Sequence, residues 1–193
     1  MTEKPQFVLL ADTTTNPAPL GLTGFGLTTI LLNLHNIGLF PLDTMIMAMG
    51  LLVGGIAQII AGKFEWKKNN MFGMLAFSMY GFFWISLIVL MILPKLGIGE
   101  TPSATAMGWF LTVWGVFTLG LVIASFALSK IMRVLFITVL ILFFLLAAAD
   151  FTGNSTLKLL GGVDGIICGS LALFIALATV INETFKKTII PLG

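Results

Sequence analysis

Six apolar stretches alternate with short polar breaks along the chain. They run from about Pro17 to Leu39, Asp43 to Ala61, Met71 to Leu93, Ala104 to Phe126, Ile131 to Ala149 and Leu159 to Asn182. A helix that crosses hydrocarbon needs ~20 mostly apolar residues. The pattern therefore predicts an all-α membrane protein with six transmembrane helices. Each break has a local cause. Pro41 ends the first stretch because proline lacks an amide donor. Lys63, Glu65, Lys67, Lys68, Asn69 and Asn70 draw the second connection into water. Pro94 to Ser103 reads as a loop, Lys130 and Arg133 mark a tight turn, and Gly153 and Asn154 are turn formers. Residues 1–15 read as a polar tail, 16–185 as the six-helix domain and 186–193 as a short second tail.

Composition strengthens this reading. Of 193 residues, 58% are hydrophobic and 9% charged, whereas a soluble domain carries about 25% charged residues. The net charge is +2 and the longest basic run is Lys67-Lys68, so no stripe exists to neutralise nucleic-acid phosphates. A single cysteine, Cys168, rules out a disulfide within one chain. The polar start, Met1 to Asn16, lacks the apolar core of a cleavable signal peptide. Lys and Arg then set the orientation. Lys4, Lys63, Lys67, Lys68, Lys130, Arg133, Lys186 and Lys187 fall on one side, and only Lys95 and Lys158 on the other. The positive-inside rule places both termini in the cytoplasm, with the protein in the inner (plasma) membrane.

The first span carries most of the polar chemistry. Thr29, Asn33 and Asn36 are spaced by four and three and share a face with Phe25. Thr28 and His35 form the adjacent edge. Such a stripe reads either as interhelical hydrogen-bond glue or as a wet, pathway-lining face. Asn16, with Pro17 and Pro19 behind it, reads as a helix cap or as a helix end whose free N–H groups face an anion. Gln58 in the second span reads as glue or as an amide donor to a carboxylate. Tyr80 lies inside the third span, away from the interfaces where tyrosine is usual, so its hydroxyl points to a partner or a pore. His35 reads as a cap or a proton-handling group, and Asp43 and Asp164 as helix caps. Gly50 with Gly54, and Gly161 with Gly165 and Gly169, signal close helix packing. No Lys or Arg lies deep in a span, so any solute would meet neutral groups and bind weakly. One histidine and one cysteine cannot build a metalloprotease or bis-histidine haem site in one chain, and no metal or cofactor is expected.

Asn16-Pro17-Ala18-Pro19-Leu20-Gly21-Leu22 followed by Gly24-Phe25-Gly26 resembles the signature of the acetate uptake transporters, or succinate–acetate permeases. Leu32-Asn33-Leu34-His35-Asn36-Ile37-Gly38, Gly55-Ile56-Ala57-Gln58-Ile59, Asn70-Met71-Phe72-Gly73, Trp114-Gly115-Val116-Phe117-Thr118-Leu119 and Asn182-Glu183 agree with it. The resemblance implies a six-helix protomer around a central pathway, similar to the urea channels in architecture, assembled as a homo-oligomeric ring, usually a hexamer. It implies passage of small monocarboxylates (acetate, with succinate or lactate as further substrates), as an anion channel or with protons as a symporter. It also implies a narrow ring of Phe, Tyr and Leu. By motif, Phe25 and Tyr80 take the first two places, and Val139 stands where leucine is usual, with Leu140 and Leu142 as neighbouring alternatives.

Helix geometry bears on that ring. At ~1.5 Å per residue, Phe25 and Val139 lie about 12 Å and Tyr80 about 14 Å from the ends of their spans. Half the hydrocarbon thickness is about 15 Å. Three residues on three helices thus fall at one level, and Ala172 on the sixth helix reaches it too. The expected mechanism is stepwise. Asn16 on one side and Asn33 and Asn36 on the other collect the solute, Thr28, Thr29, Gln58 and Tyr80 offer hydrogen bonds, and the ring of Phe25, Tyr80, Val139 and Ala172 excludes water. The alternative is a channel for small neutral solutes such as urea or amides.

Overall fold

A computed structural model describes residues 14–193, so residues 1–13 of the expected N-terminal tail lie outside the described residues. Six helices follow one another: α1 (Ala18–Asn36), α2 (Thr44–Lys67), α3 (Met71–Ile92), α4 (Ala104–Ser125), α5 (Lys130–Thr152) and α6 (Ser155–Phe185). The described residues contain no strand. α2 to α6 are each long and apolar enough to cross a membrane. α1, at 19 residues, falls short of that measure. Thr23, Thr28, Thr29, Asn33, His35 and Asn36 lower its hydropathy, and it relies on its neighbours to shield them.

The ends are set by capping side chains. Asp43 accepts from the amides of Met45 and Ile46, and Asn70, Ser103, Ser129 and Asn154 cap α3 to α6 in the same way. A side-chain oxygen here satisfies backbone N–H groups that have no partner within the helix. Gly153 closes α5 at φ +65°, a left-handed conformation that a Cβ would disfavour. α6 starts earlier than its apolar pattern suggests, at Ser155 rather than Leu159, because Asn154 caps it. Asp164 is therefore not in the first turn and does not cap this helix. The last residues turn back on the bundle. The Asn182 side chain accepts from the amides of Ile189 and Ile190 and donates to the Ile190 carbonyl at 2.7 Å.

The helices form a closed ring in chain order, with α6 packed beside α1. That junction is backbone to backbone. A Cβ at Gly26 would stand 2.7 Å from the Gly169 carbonyl oxygen, and one at Gly169 2.8 Å from that of Gly26. α2 contains a π-helical stretch, Met49–Ala57. Its Gly50 and Gly54 lie against Ile88 and Trp84 of α3, while Gly81 of α3 abuts the Gly55 carbonyl. α3 and α4 meet chiefly through side chains. Phe83 stacks on Phe110 at 5.7 Å and meets Trp114 edge-on at 5.3 Å.

Candidate functional site: two vestibules and a waist

The ring encloses two large cavities joined through a small one. At the end holding the termini, a vestibule of about 310 Å³ is lined by residues including Ala18, Glu65, Asn70, Ser129, Thr179 and Leu192. At the far end, a vestibule of about 240 Å³ is lined by Thr29, Asn33, His35, Asn36, Trp84 and a largely apolar wall. Between them lies a chamber of about 20 Å³ formed by Leu22, Phe25, Gln58, Ala76, Phe77, Tyr80, Leu135, Phe136 and Val139. Phe25 and Val139 are shared with the far vestibule, and Leu22, Ala76, Phe77 and Phe136 with the other. The chamber has less than a tenth of the volume of either vestibule. This is the narrow part of the path.

The structure brings Phe25, Tyr80 and Val139 to that one chamber, with the Phe25 and Tyr80 ring centroids 5.8 Å apart. Leu140 does not line it, and Leu142 lines the far vestibule instead. Ala172 does not join the ring. It is fully buried and lines none of the three cavities. Its depth along α6 matches the ring, but its side chain lies on a different face. Ala172 continues the Gly165 and Gly169 face, which α6 turns towards α1. The chamber's remaining wall comes from Leu22, Ala76, Phe77, Leu135 and Phe136, which an apolar pattern cannot tell from lipid-facing bulk.

Several of the expected donors are already engaged within the protein. Thr28 is buried against α2, lines none of these cavities and donates to the Gly24 carbonyl at 2.7 Å. The Tyr80 and Thr118 hydroxyls are 3.0 Å apart, and Thr118 donates to the Trp114 carbonyl at 2.8 Å. A threonine hydroxyl has one proton, so Tyr80 donates to Thr118 and its own proton is engaged. Gln58, 0% exposed, donates from Nε2 to the Gly54 carbonyl at 2.6 Å, and its Oε1 has no partner. The surface that the chamber itself presents is apolar.

At the termini end, the expected anion site on the α1 helix end is absent. Pro17 and Pro19 carry no N–H. The Ala18 amide donates to the Asn16 carbonyl Oδ1 and the Leu20 amide to Pro17 O. Asn16 Nδ2 donates to Glu183 at 2.8 Å, and Asn16 is not among the residues lining the vestibule. The titratable side chain that does line it is Glu65, 3% exposed and accepting from Asn70 Nδ2 at 2.8 Å. At the far end, Thr29, Asn33 and Asn36 do line the cavity. Asn33 Nδ2 donates to Thr29 O at 2.8 Å, and Asn33 Oδ1 accepts from Asn36 at 3.0 Å. His35 Nδ1 lies 2.9 Å from Phe40 O, so that nitrogen carries a proton and holds the turn after α1. Asp150 and Lys158 bring opposite charges to the same wall. Among the described residues no group of His, Cys, Asp and Glu is arranged to hold a metal ion.

A ring of apolar helices around two polar-edged cavities and a hydrophobic waist defines a multi-pass membrane protein of the channel and transporter class. The chain belongs to the GPR1/FUN34/yaaH family, which it matches over residues 3–192. It is 47% identical over 178 residues to a succinate-acetate/proton symporter of Escherichia coli, covering 92% of this chain and 95% of that protein. An uncharacterized protein of Methanothermobacter thermautotrophicus is 48% identical over 191 residues, covering 95% and 94% of the two chains. A solved structure described as a bacterial acetate channel superposes with a TM-score of 0.92 at 46% identity, covering 94% of this chain and all of that one.

Proposed function

We propose that this chain passes acetate and similarly small monocarboxylates across the inner membrane, one pathway per protomer, with both termini cytoplasmic and several copies assembled as a ring. The excess of Lys and Arg on the termini side supports the orientation, and the family resemblance supports the ring. The observation that carries the reading is the pair of vestibules joined through a chamber of about 20 Å³. Similarity to proteins named for acetate points to the solute.

The chamber also favours one chemical form of that solute. A carboxylate anion entering so narrow an apolar space sheds hydration and meets no cation there. The chamber's surface is apolar and offers it no hydrogen bond in exchange. An undissociated acid carries no net charge and loses far less on entry. Passage as the neutral acid moves one proton with each carboxylate, which accounts for symport without a proton relay in the protein.

The test uses proteoliposomes, with protein-free vesicles as background because neutral acids also leak through lipid. Protein-dependent acetate uptake should follow an imposed pH gradient. An imposed voltage alone should drive no acetate current. A simple carboxyl group ionises near pH 4, so above pH 5 uptake at fixed total acetate should fall about tenfold per pH unit. Absence of any protein-dependent acetate flux would reject the whole reading. The rival is passage of neutral amides, since these too enter an apolar chamber without carrying a charge out of water. Competition by urea rather than propionate would favour it.

A further inference from the structure

The chain beyond α6 does not trail away from the bundle. Lys186 adopts a left-handed conformation, φ +53°, and turns the strand of residues that follows back on the helices. Leu192, beyond that turn, is half-buried against the core and lines the termini-side vestibule with Ile131, Met132 and Thr179. The other lining residues belong to the six helices and the turns between them. The tip of the strap lies over the start of α5, where a Cβ at Gly193 would stand 3.8 Å from that of Lys130. Its attachment is slight. Among the described residues, the hydrogen bonds that join residues 188–193 to the helices all run to the Asn182 side chain. Two are accepted from the amides of Ile189 and Ile190, and one is donated to the Ile190 carbonyl. Pro191 has no N–H to add. Lys187, Thr188, Ile189 and Pro191 are exposed. A segment with so few buried contacts and hydrogen bonds opens locally long before the helices do.

We propose that residues 186–193 form a lid on the termini-side vestibule, hinged at Lys186, latched by Asn182 and seated by Leu192. The lid rests on the reading of that vestibule as one end of the solute path. Seated, it holds an apolar side chain in the mouth that a hydrated carboxylate must pass. Swung away, it leaves the mouth to the helices and the turns between them. One side chain makes all three latch bonds, so a single rotation of Asn182 frees the whole strap. The waist decides what passes, and the lid decides when the vestibule is open on the termini side.

Lys130 and Gly193 stand at the Cβ separation of a disulfide, about 3.8 Å. Lys130→Cys combined with Gly193→Cys should therefore cross-link on oxidation and lock the lid. Cys168 is fully buried and stays in place. Acetate flux in proteoliposomes should fall about tenfold or more on oxidation, as expected where a lid must open in each cycle, and return on reduction. A second measurement needs no solute. In detergent, a hydrophilic maleimide should label Thr179→Cys on the vestibule wall, with Cys168 alone as background. Adding Asn182→Ala removes the latch bonds and should speed that labelling about tenfold. Leu192→Ala removes the seat, should act in the same direction, and leaves the helix ends untouched should Asn182→Ala fail to fold. Three results would each overturn the lid while monocarboxylate passage stands: a cross-linked protein with undiminished flux, a pair that does not cross-link, or labelling that Leu192→Ala leaves unchanged. Loss of acetate flux from the wild-type and reduced proteins alike would instead be a failure of the functional reading, and the labelling would still decide the lid.

Discussion

Along the seam between α1 and α6 the two backbones all but touch, whereas α3 and α4 stand apart and meet ring to ring. The first seam is made of absence. Gly26 and Gly169 face each other with no room for a methyl group, and Gly165 receives the Asn33 amide. In lipid no hydrophobic force drives helices together, so close approach and the dispersion it gives must hold them. The second seam is made of bulk. Phe83 touches Trp84, Phe110, Trp114 and Phe143, and Tyr80 reaches Thr118 on α4. The difference shows how one ring of helices is both fixed and open. The glycine seam sets where α1 stands and thus where Phe25 points. The aromatic seam holds α3 and α4 far enough apart to leave the far vestibule between them and α5.

The largest effect should come from breaking the first seam. Gly26→Leu places side-chain carbon against the backbone of Gly169 and Leu173, neither of which can rotate away. Overpacking typically costs about 1–3 kcal/mol, and a rigid neighbour places this substitution at or above the top of that range. Little folded protein should survive detergent extraction and size-exclusion chromatography. Gly165→Ala is milder, because the atoms it meets are the end of the Asn33 side chain. It should lower the detergent melting temperature measurably, with a cost of about 1–3 kcal/mol, and should disturb the far vestibule through Asn33. The second seam should tolerate more. Tyr80→Phe deletes one hydrogen bond and keeps the ring, so it should cost about 1 kcal/mol and leave acetate flux within a few-fold of wild type. Val139→Leu should alter stability least. It adds one methylene to the waist, and a methylene in a tight apolar pocket discriminates by about 10-fold or more. The lactate-to-acetate uptake ratio should fall by about that factor. An unchanged ratio would show that Val139 does not set the aperture.

Much of this was legible in the chain. Runs of apolar residues near 20 long place six helices with ends within four residues of those observed, except that α2 runs on past Ala61 to Lys67, through residues expected to form the second connection. Depth along a helix follows from residue number alone, and it put Phe25, Tyr80 and Val139 at one level. Direction was harder to read. Thr28, Thr29, Asn33 and Asn36 lie on adjoining faces of α1, yet Thr28 turns to α2 and the other three line the vestibule. Ala172 sits at the right depth on a face that belongs to packing. Trp84 and Phe136 carry no polar pattern that would mark them as cavity walls.

The residues by themselves determined the solvent this protein folds in, the number of its helices and the height at which its waist lies. Those follow from hydropathy and from a fixed rise per residue, which are properties of one helix at a time. Which donor is already engaged, which face looks inward and which polar atom is left over were decided by the tertiary structure. A hydrogen bond or a cavity wall needs a second helix at a particular rotation. Here the glycine contact between α1 and α6 supplies that rotation.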